Sequence, residues 1–256
     1  ENTAGTWRID NVVIRSPAAL YVDSNATGGS KTGLDWANAF TDLQDALNYT
    51  GSCSPSPVPI NQIWVAQGTY KPTTVTDPTA TFQLQNGITV YGGFTPSDNE
   101  EINPKDTRSG AETILSGDLG TDNSYHVVTG SGNNSTAILN GVTITGGNAD
   151  GGTSPDNNGG GVYNNNGSPK LVDVIIKNNS AANNGGGMYN ENGSNPILTT
   201  VTFESNTATN DGGGMYNDSS NPEISDVEFK TNNAVNGGGM YNKDSTPKIS
   251  SDLNPI

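Results

Sequence analysis

"NNGGGMYNENGSNPILTTVTFESN" (residues 183–206) is crowded with Asn and Gly, residue types that disfavour helix and strand alike, yet apolar residues recur in it at set intervals. The same text returns on both sides. "NNGGGVYNNNGSPKLVDVIIKNNSA" starts at Asn157, "NDGGGMYNDSSNPEISDVEFKTNNA" at Asn210 and "VNGGGMYNKDSTPKISS" at Val235. The Gly triplets begin at Gly159, Gly185, Gly212 and Gly237, spacings of 26, 27 and 25. A six-residue core returning at a nearly constant period marks a repeat architecture, not a flexible linker.

Within one unit the order is G-G-G-[MV]-Y-N, a polar turn, then P-x-[LI]-x-x-V-x-[IF]-x-x-N. Val174 and Ile176, Val201 and Phe203, Val227 and Phe229 alternate with outward neighbours, the period of a strand with one buried face. Leu171, Leu198 and Ile224 stand three residues earlier, so a bend is expected between them and the alternating pair. No stretch of the unit is long enough for a helix, which predicts about three short strands per unit joined by Gly, Asn and Pro turns. One unit cannot bury its own apolar face; stacked units can. The expected fold is all-β, a right-handed parallel β-helix with one coil per repeat. Val162, Met188, Met215 and Met240 should then form one interior column, Ile176, Phe203 and Phe229 another, and Asn179, Asn206 and Asn232 a hydrogen-bonded column at a turn.

Looser β-rich runs extend the pattern backwards: 62–70, 82–94, 113–117, 125–130 and 137–148. Ahead of them "DWANAFTDLQDALNYT" (35–50) places Trp36, Ala39, Phe40, Leu43, Ala46 and Leu47 on one helical face, with Asp35 as N-cap. A short N-terminal capping α-helix over the first coil is expected. The chain thus divides into an extension at 1–20 and a coil stack at 21–256. The stack comprises the capping helix (35–50), irregular coils (60–148), regular repeats (149–249) and an incomplete coil (250–256). The stretch 1–14 reads as a strand, packed along this domain or donated to a neighbouring subunit. After Ile249 the pattern fails, with Asp252 and Asn254 at the Val and Ile/Phe positions. The last coil is therefore expected to be covered by further chain, by another subunit or by loops.

The 256 residues are 31% hydrophobic, with 33 Gly and a net charge of -15. That charge disfavours nucleic acid and anionic lipid as partners, because a phosphate-binding surface needs clustered Lys and Arg. No apolar run is long enough to insert in a membrane. The single Cys53 offers no disulfide within the chain and no metal cluster. Low Cys with abundant Asn, Gly, Thr and Ser suits an exported bacterial protein, secreted or at the cell surface.

On the residues just quoted, the chain resembles known families. "YVDSNATGGSKTGLDWANAFTDLQDAL" (21–47), "IWVAQGTYKPT" (63–73) and "NGITVYGGF" (86–94) look like the N-terminal part of pectin-lyase-like β-helix domains in large bacterial surface proteins. "GGGMY" with "FESN" and "FKTN" resembles the GGA[I/L] and FxxN repeats of chlamydial polymorphic outer-membrane proteins, although here the third residue is Gly. The resemblance implies a fold more than an activity, since β-helices host lyases, hydrolases, adhesins and stalks. Residues 1–14 also look like the closing strand of a jelly-roll module.

A polysaccharide-cleaving site needs a carboxylate cluster and a Lys or Arg placed to take a proton or stabilise charge. The repeat lysines Lys170, Lys177, Lys230, Lys243 and Lys248 fall at unrelated turn positions, and no Arg follows Arg108. The one histidine, His126 in "YHVV", reads as a strand residue, and no catalytic constellation is recognisable. Two binding features remain open. With Met inward, Tyr163, Tyr189, Tyr216 and Tyr241 point outward as an aromatic ladder that binds sugar rings or only stiffens the wall. Asp118, Asp122 and Asn123 in "SGDLGTDNS" are either oxygen ligands for Ca²⁺, the one cofactor considered, or an ordinary polar turn. The function expected is a non-catalytic structural or adhesive protein that self-associates or joins neighbouring domains. Polysaccharide binding or cleavage, with glycans as partners, is the alternative.

Overall fold

The structure, a computed structural model, describes residues 19–51, 60–96 and 108–250. The strand expected at 1–14, Cys53 and residues 251–256 lie outside them. The described chain is mostly β, and its strands pair in parallel and in chain order in three sheets. Each repeat supplies one level. The repeat at 157–181 contributes strands Val162–Asn165, Lys170–Lys177 and Ser180–Ala181, one to each sheet.

The expected columns are present in register. Val162 pairs with Met188, Met188 with Met215 and Met215 with Met240. Ile176, Phe203 and Phe229 follow one another, the two Phe rings stacked at 5.0 Å. The irregular levels enter the same columns. Leu20, Ile63, Val90, Leu139, Leu171, Leu198, Ile224 and Ile249 form one aliphatic line, buried from the first of them through Ile224. At about 4.8 Å between paired strands, these eight levels span roughly 34 Å.

The bend before Val174 is real, but it does not divide the strand. Lys170–Lys177, Ile197–Glu204 and Glu223–Lys230 each run eight residues, longer than the very short strands expected. Each passes through one left-handed residue: Asp173 (φ 52°), Thr200 (φ 54°) and Asp226 (φ 52°). That residue turns the strand so that Leu171 and Val174, three apart, both face the core.

Gly triplets are required by sterics at 185–187. Gly185 has φ +67°, a Cβ on Gly186 would lie 2.3 Å from the Thr207 carbonyl oxygen, and one on Gly187 would lie 2.5 Å from that of Gly214. Asn is used as expected, and twice. Asn179 donates to Asn206 Oδ1 at 3.1 Å and Asn206 to Asn232 Oδ1 at 2.9 Å. A second amide column, read only as part of the motif in the sequence, runs Asn164, Asn190, Asn217 and Asn242 with spacings of 2.8, 2.8 and 2.7 Å.

The capping helix differs from the expectation. Residues 35–50 split into a 3-10 turn, Trp36–Asn38, and a helix, Leu43–Gly51. Two aspartates cause the break. Asp35 Oδ1 accepts the Asn38 N–H at 2.7 Å, and Asp42 Oδ1 accepts the Gln44 N–H at 2.8 Å, so each caps its own short segment. The apolar face divides accordingly. Leu43, Ala46 and Leu47 pack into the main core, whereas Trp36 joins Tyr21, Trp64 and Phe94 in a separate aromatic cluster.

Candidate functional site

The left-handed bend is also where the stack departs from its repeat. In the level before Asp173 the same place is held by Gly141 (φ +72°), between strands Ile138–Asn140 and Thr143–Thr145; one level further back Gly92 stands against Gly141, and the left-handed residue is the next one, Gly93 (φ +88°), within strand Thr89–Phe94. Arg108, ahead of the next strand, Thr113–Ser116, lies beside Gly93 and packs over Gly141. The result is an open groove of about 410 Å³ on the outer face of the long sheet. Arg108, Glu112, Thr143, Asp173 and Ile175 line it over three levels.

Arg108 fixes the groove. Its Nη1 donates to Asn140 Oδ1 at 2.7 Å and to the Gly92 carbonyl at 3.2 Å, and its guanidinium lies 5.7 Å from the centre of the Tyr91 ring. A Cβ on Gly141 would sit 2.1 Å from Nη1, so the cation occupies the space a side chain would take. Burial disfavours the Arg108 charge, while Asp173 and Tyr91 support it. An arginine nevertheless stays protonated at neutral pH. Nη2 stands 4.0 Å from Asp173 Oδ2, beyond a direct hydrogen bond. Across the groove Glu112 Oε1 accepts from Thr143 Oγ1 at 3.3 Å and from Lys177 Nζ at 3.4 Å. Ile175, at an outward position that Thr143, Thr202 and Glu228 hold in other levels, is 40% exposed. Two cations face two carboxylates beside one apolar patch.

Sequence reasoning missed this site, because Arg108, Glu112 and Asp173 share no spacing. The legible signals were Ile175, apolar at an outward position, and the long gap between strand-like runs after Phe94.

The four tyrosines form the expected column outside the main core, with centroids 6.0, 5.1 and 5.4 Å apart and planes within 14°. Tyr163, Tyr189 and Tyr216 are buried, their faces turned to one another, and Tyr241 is half-buried. A sugar would need an open face, so the geometry serves the wall. Burial pushes the Tyr163 and Tyr189 phenols well above their ordinary range, and Tyr163 donates to Glu191. His126 heads the same column, stacked on Tyr163 at 4.8 Å, with Nδ1 3.0 Å from the Gly159 carbonyl. Burial lowers its pKa and keeps the ring neutral.

Asp118 and Asp122 spend their Oδ1 atoms on the turn itself, accepting the N–H groups of Gly120 and Asn123 at 2.9 Å each. Asn123 Nδ2 donates to the Gly146 carbonyl at 2.6 Å. Among the described residues, no three His, Cys, Asp or Glu side chains are grouped to hold a metal ion, and no helix is long and apolar enough to cross a membrane. Comparison with known protein families, curated proteins and solved structures gave no match to this chain.

Proposed function

We propose that this chain is a right-handed parallel β-helix serving outside the cell as a rigid structural or adhesive element. The right hand follows the strong general preference for right-handed connections between parallel strands. The observation that carries the reading is the superposition of like on like: Met on Met, Tyr on Tyr and Asn on Asn at successive levels. Each level satisfies its neighbour, so the stack extends without new kinds of contact. At the last described level Met240 and Tyr241 are half-buried and Ile249 is 76% exposed. A further level would bury them, whether it came from the same chain or from a second copy. The acidic, nearly Cys-free composition agrees with an exported protein.

Light scattering and electron microscopy over a range of concentrations test the assembly. End-to-end contact lengthens particles in steps of at least roughly 38 Å, the eight strand spacings that each added copy contributes. Strict monomers at the highest concentration refute self-association.

The groove at Arg108 favours a second reading, polysaccharide binding or cleavage. Incubation with neutral and acidic polysaccharides, followed by assay of bound glycan and of new chain ends, separates the two forms of it. The absence of both retention and cleavage with every polysaccharide tried removes this reading.

A further inference from the structure

We propose that the Arg108 groove binds a neutral saccharide, lying across the strands of three successive levels, and discriminates against uronates. The inference rests on the second reading above and names its ligand class. The groove's volume, about 410 Å³, lies within the roughly 300–1,000 Å³ usual for small-ligand sites. From the Gly93 level to the Asp173 level is two strand spacings, about 10 Å.

Recognition comes from three features. Arg108 is held on Nη1 by Asn140 and Gly92, so its planar head is pre-set before a ligand arrives. The 4.0 Å gap between Nη2 and Asp173 Oδ2 suits one bridging hydroxyl, which accepts from the guanidinium and donates to the carboxylate. A carboxylate group placed in that gap cannot make the second of those bonds. Ile175, 40% exposed, supplies apolar surface for the C–H face of a sugar ring. Electrostatics point the same way. Arg108 and Lys177 are already matched by Asp173 and Glu112, and the chain carries a net charge of -15, so among the described residues of the groove a polyanion meets no spare positive charge.

The test is an amide NMR titration of the ¹⁵N-labelled chain with cellohexaose, mannohexaose and xylohexaose, against hexagalacturonate. At least one neutral hexaose should shift the amides of Gly110, Gly141 and Ile175, with a dissociation constant on the order of 1 mM or below. Asp173→Asn keeps a residue tolerant of positive φ and should weaken that binding about 10-fold, as should Ile175→Thr, which copies the Thr202 level. Unchanged melting temperatures establish that both variants fold. Binding that survives both substitutions, or shifts confined to other faces, overturn the groove assignment while leaving a glycan-binding chain. Tighter binding of hexagalacturonate overturns the discrimination. No shift with any of the four hexaoses overturns the proposal.

Discussion

Replacing Asn206 with Ala tests whether the amide columns hold the levels together. Asn206 is fully buried. Its Oδ1 accepts the Asn179 backbone N–H and Asn179 Nδ2, each at 3.1 Å, while its Nδ2 donates to the Ile176 carbonyl at 2.8 Å and to Asn232 Oδ1 at 2.9 Å. Truncation does not strand every partner. Asn232 Oδ1 still receives the Asn206 N–H at 3.0 Å, and Asn179 Nδ2 keeps the Ile144 and Lys177 carbonyls at 3.1 Å. The Asn179 N–H loses its acceptor in a place closed to water, a penalty of about 1–3 kcal/mol, and the other lost bonds are worth about 1 kcal/mol each. The expected cost is about 4–6 kcal/mol. Urea unfolding reads the global part, and hydrogen exchange at the Asn179 amide reads a local opening that a repeat stack permits. Asn206→Asp serves as the shape control. It keeps the volume but sets oxygen against the oxygens of Ile176 and Asn232, and should be no more stable than Asn206→Ala. A loss below about 1 kcal/mol in the Ala variant, with unchanged exchange at Asn179, would refute the reasoning, because one orphaned buried donor alone should exceed it.

Gly141→Ala should cost about 2–4 kcal/mol, since φ is +72° and the new Cβ meets Arg108 Nη1 at 2.1 Å; Gly110→Ala, at φ +74° with open space around it, should cost only about 1 kcal/mol. Equal melting temperatures for the two variants would dismiss the packing of the guanidinium. Thr200→Asn, at φ 54° on an exposed bend where the neighbouring levels carry Asp, should stabilise by about 0.5–1 kcal/mol in the same measurement. For His126, burial holds the folded pKa below 6.5, so the unfolded chain takes up a proton first as pH falls. The stability tied to its neutral form is intact above pH 6.5 and declines below it. His126→Phe keeps the stack on Tyr163 and should flatten unfolding free energy between about pH 5 and 7 relative to the parent chain. Calorimetric titration with Ca²⁺ should give neither heat nor a rise in melting temperature, because Asp118 and Asp122 already hold turn N–H groups; a clear exotherm would restore the cation site.

Four levels of the stack could be read from the sequence because their chemistry repeats. Once the spacing of Gly159, Gly185, Gly212 and Gly237 is noticed, Met215 over Met188 follows from the pattern alone. The second amide column was harder to see. Asn190 follows Tyr189 in a strand, where Asn is an unfavourable residue, and only the partner directly above makes it a good one. The N-terminal segment misled for a different reason. Its apolar spacing fits one helix, but the local bonds of Asp35 and Asp42 to nearby N–H groups outcompete helix propagation. The groove had no signature at all. Arg108 and Asp173 are 65 positions apart and meet only because Arg108 packs over Gly141, which holds the bend one level from Asp173.

That bend explains why a site arises there and not along the regular repeats. Where each level copies the last, a side chain finds its partner in its own copy, so tyrosine faces and asparagine amides are used up within the wall. Binding a ligand requires groups whose partners are not their copies. The left-handed residue supplies the opening, because the strand is kinked there and its outward side chains diverge. At Thr200 and Asp226 the bend carries short polar side chains and nothing more. At Gly93 and Gly141 the side chain is removed, and Arg108 fills the space that Gly141 vacates. One backbone feature thus serves two ends. With a side chain present it shapes the wall, and with that side chain deleted it admits a cation that no neighbouring level duplicates.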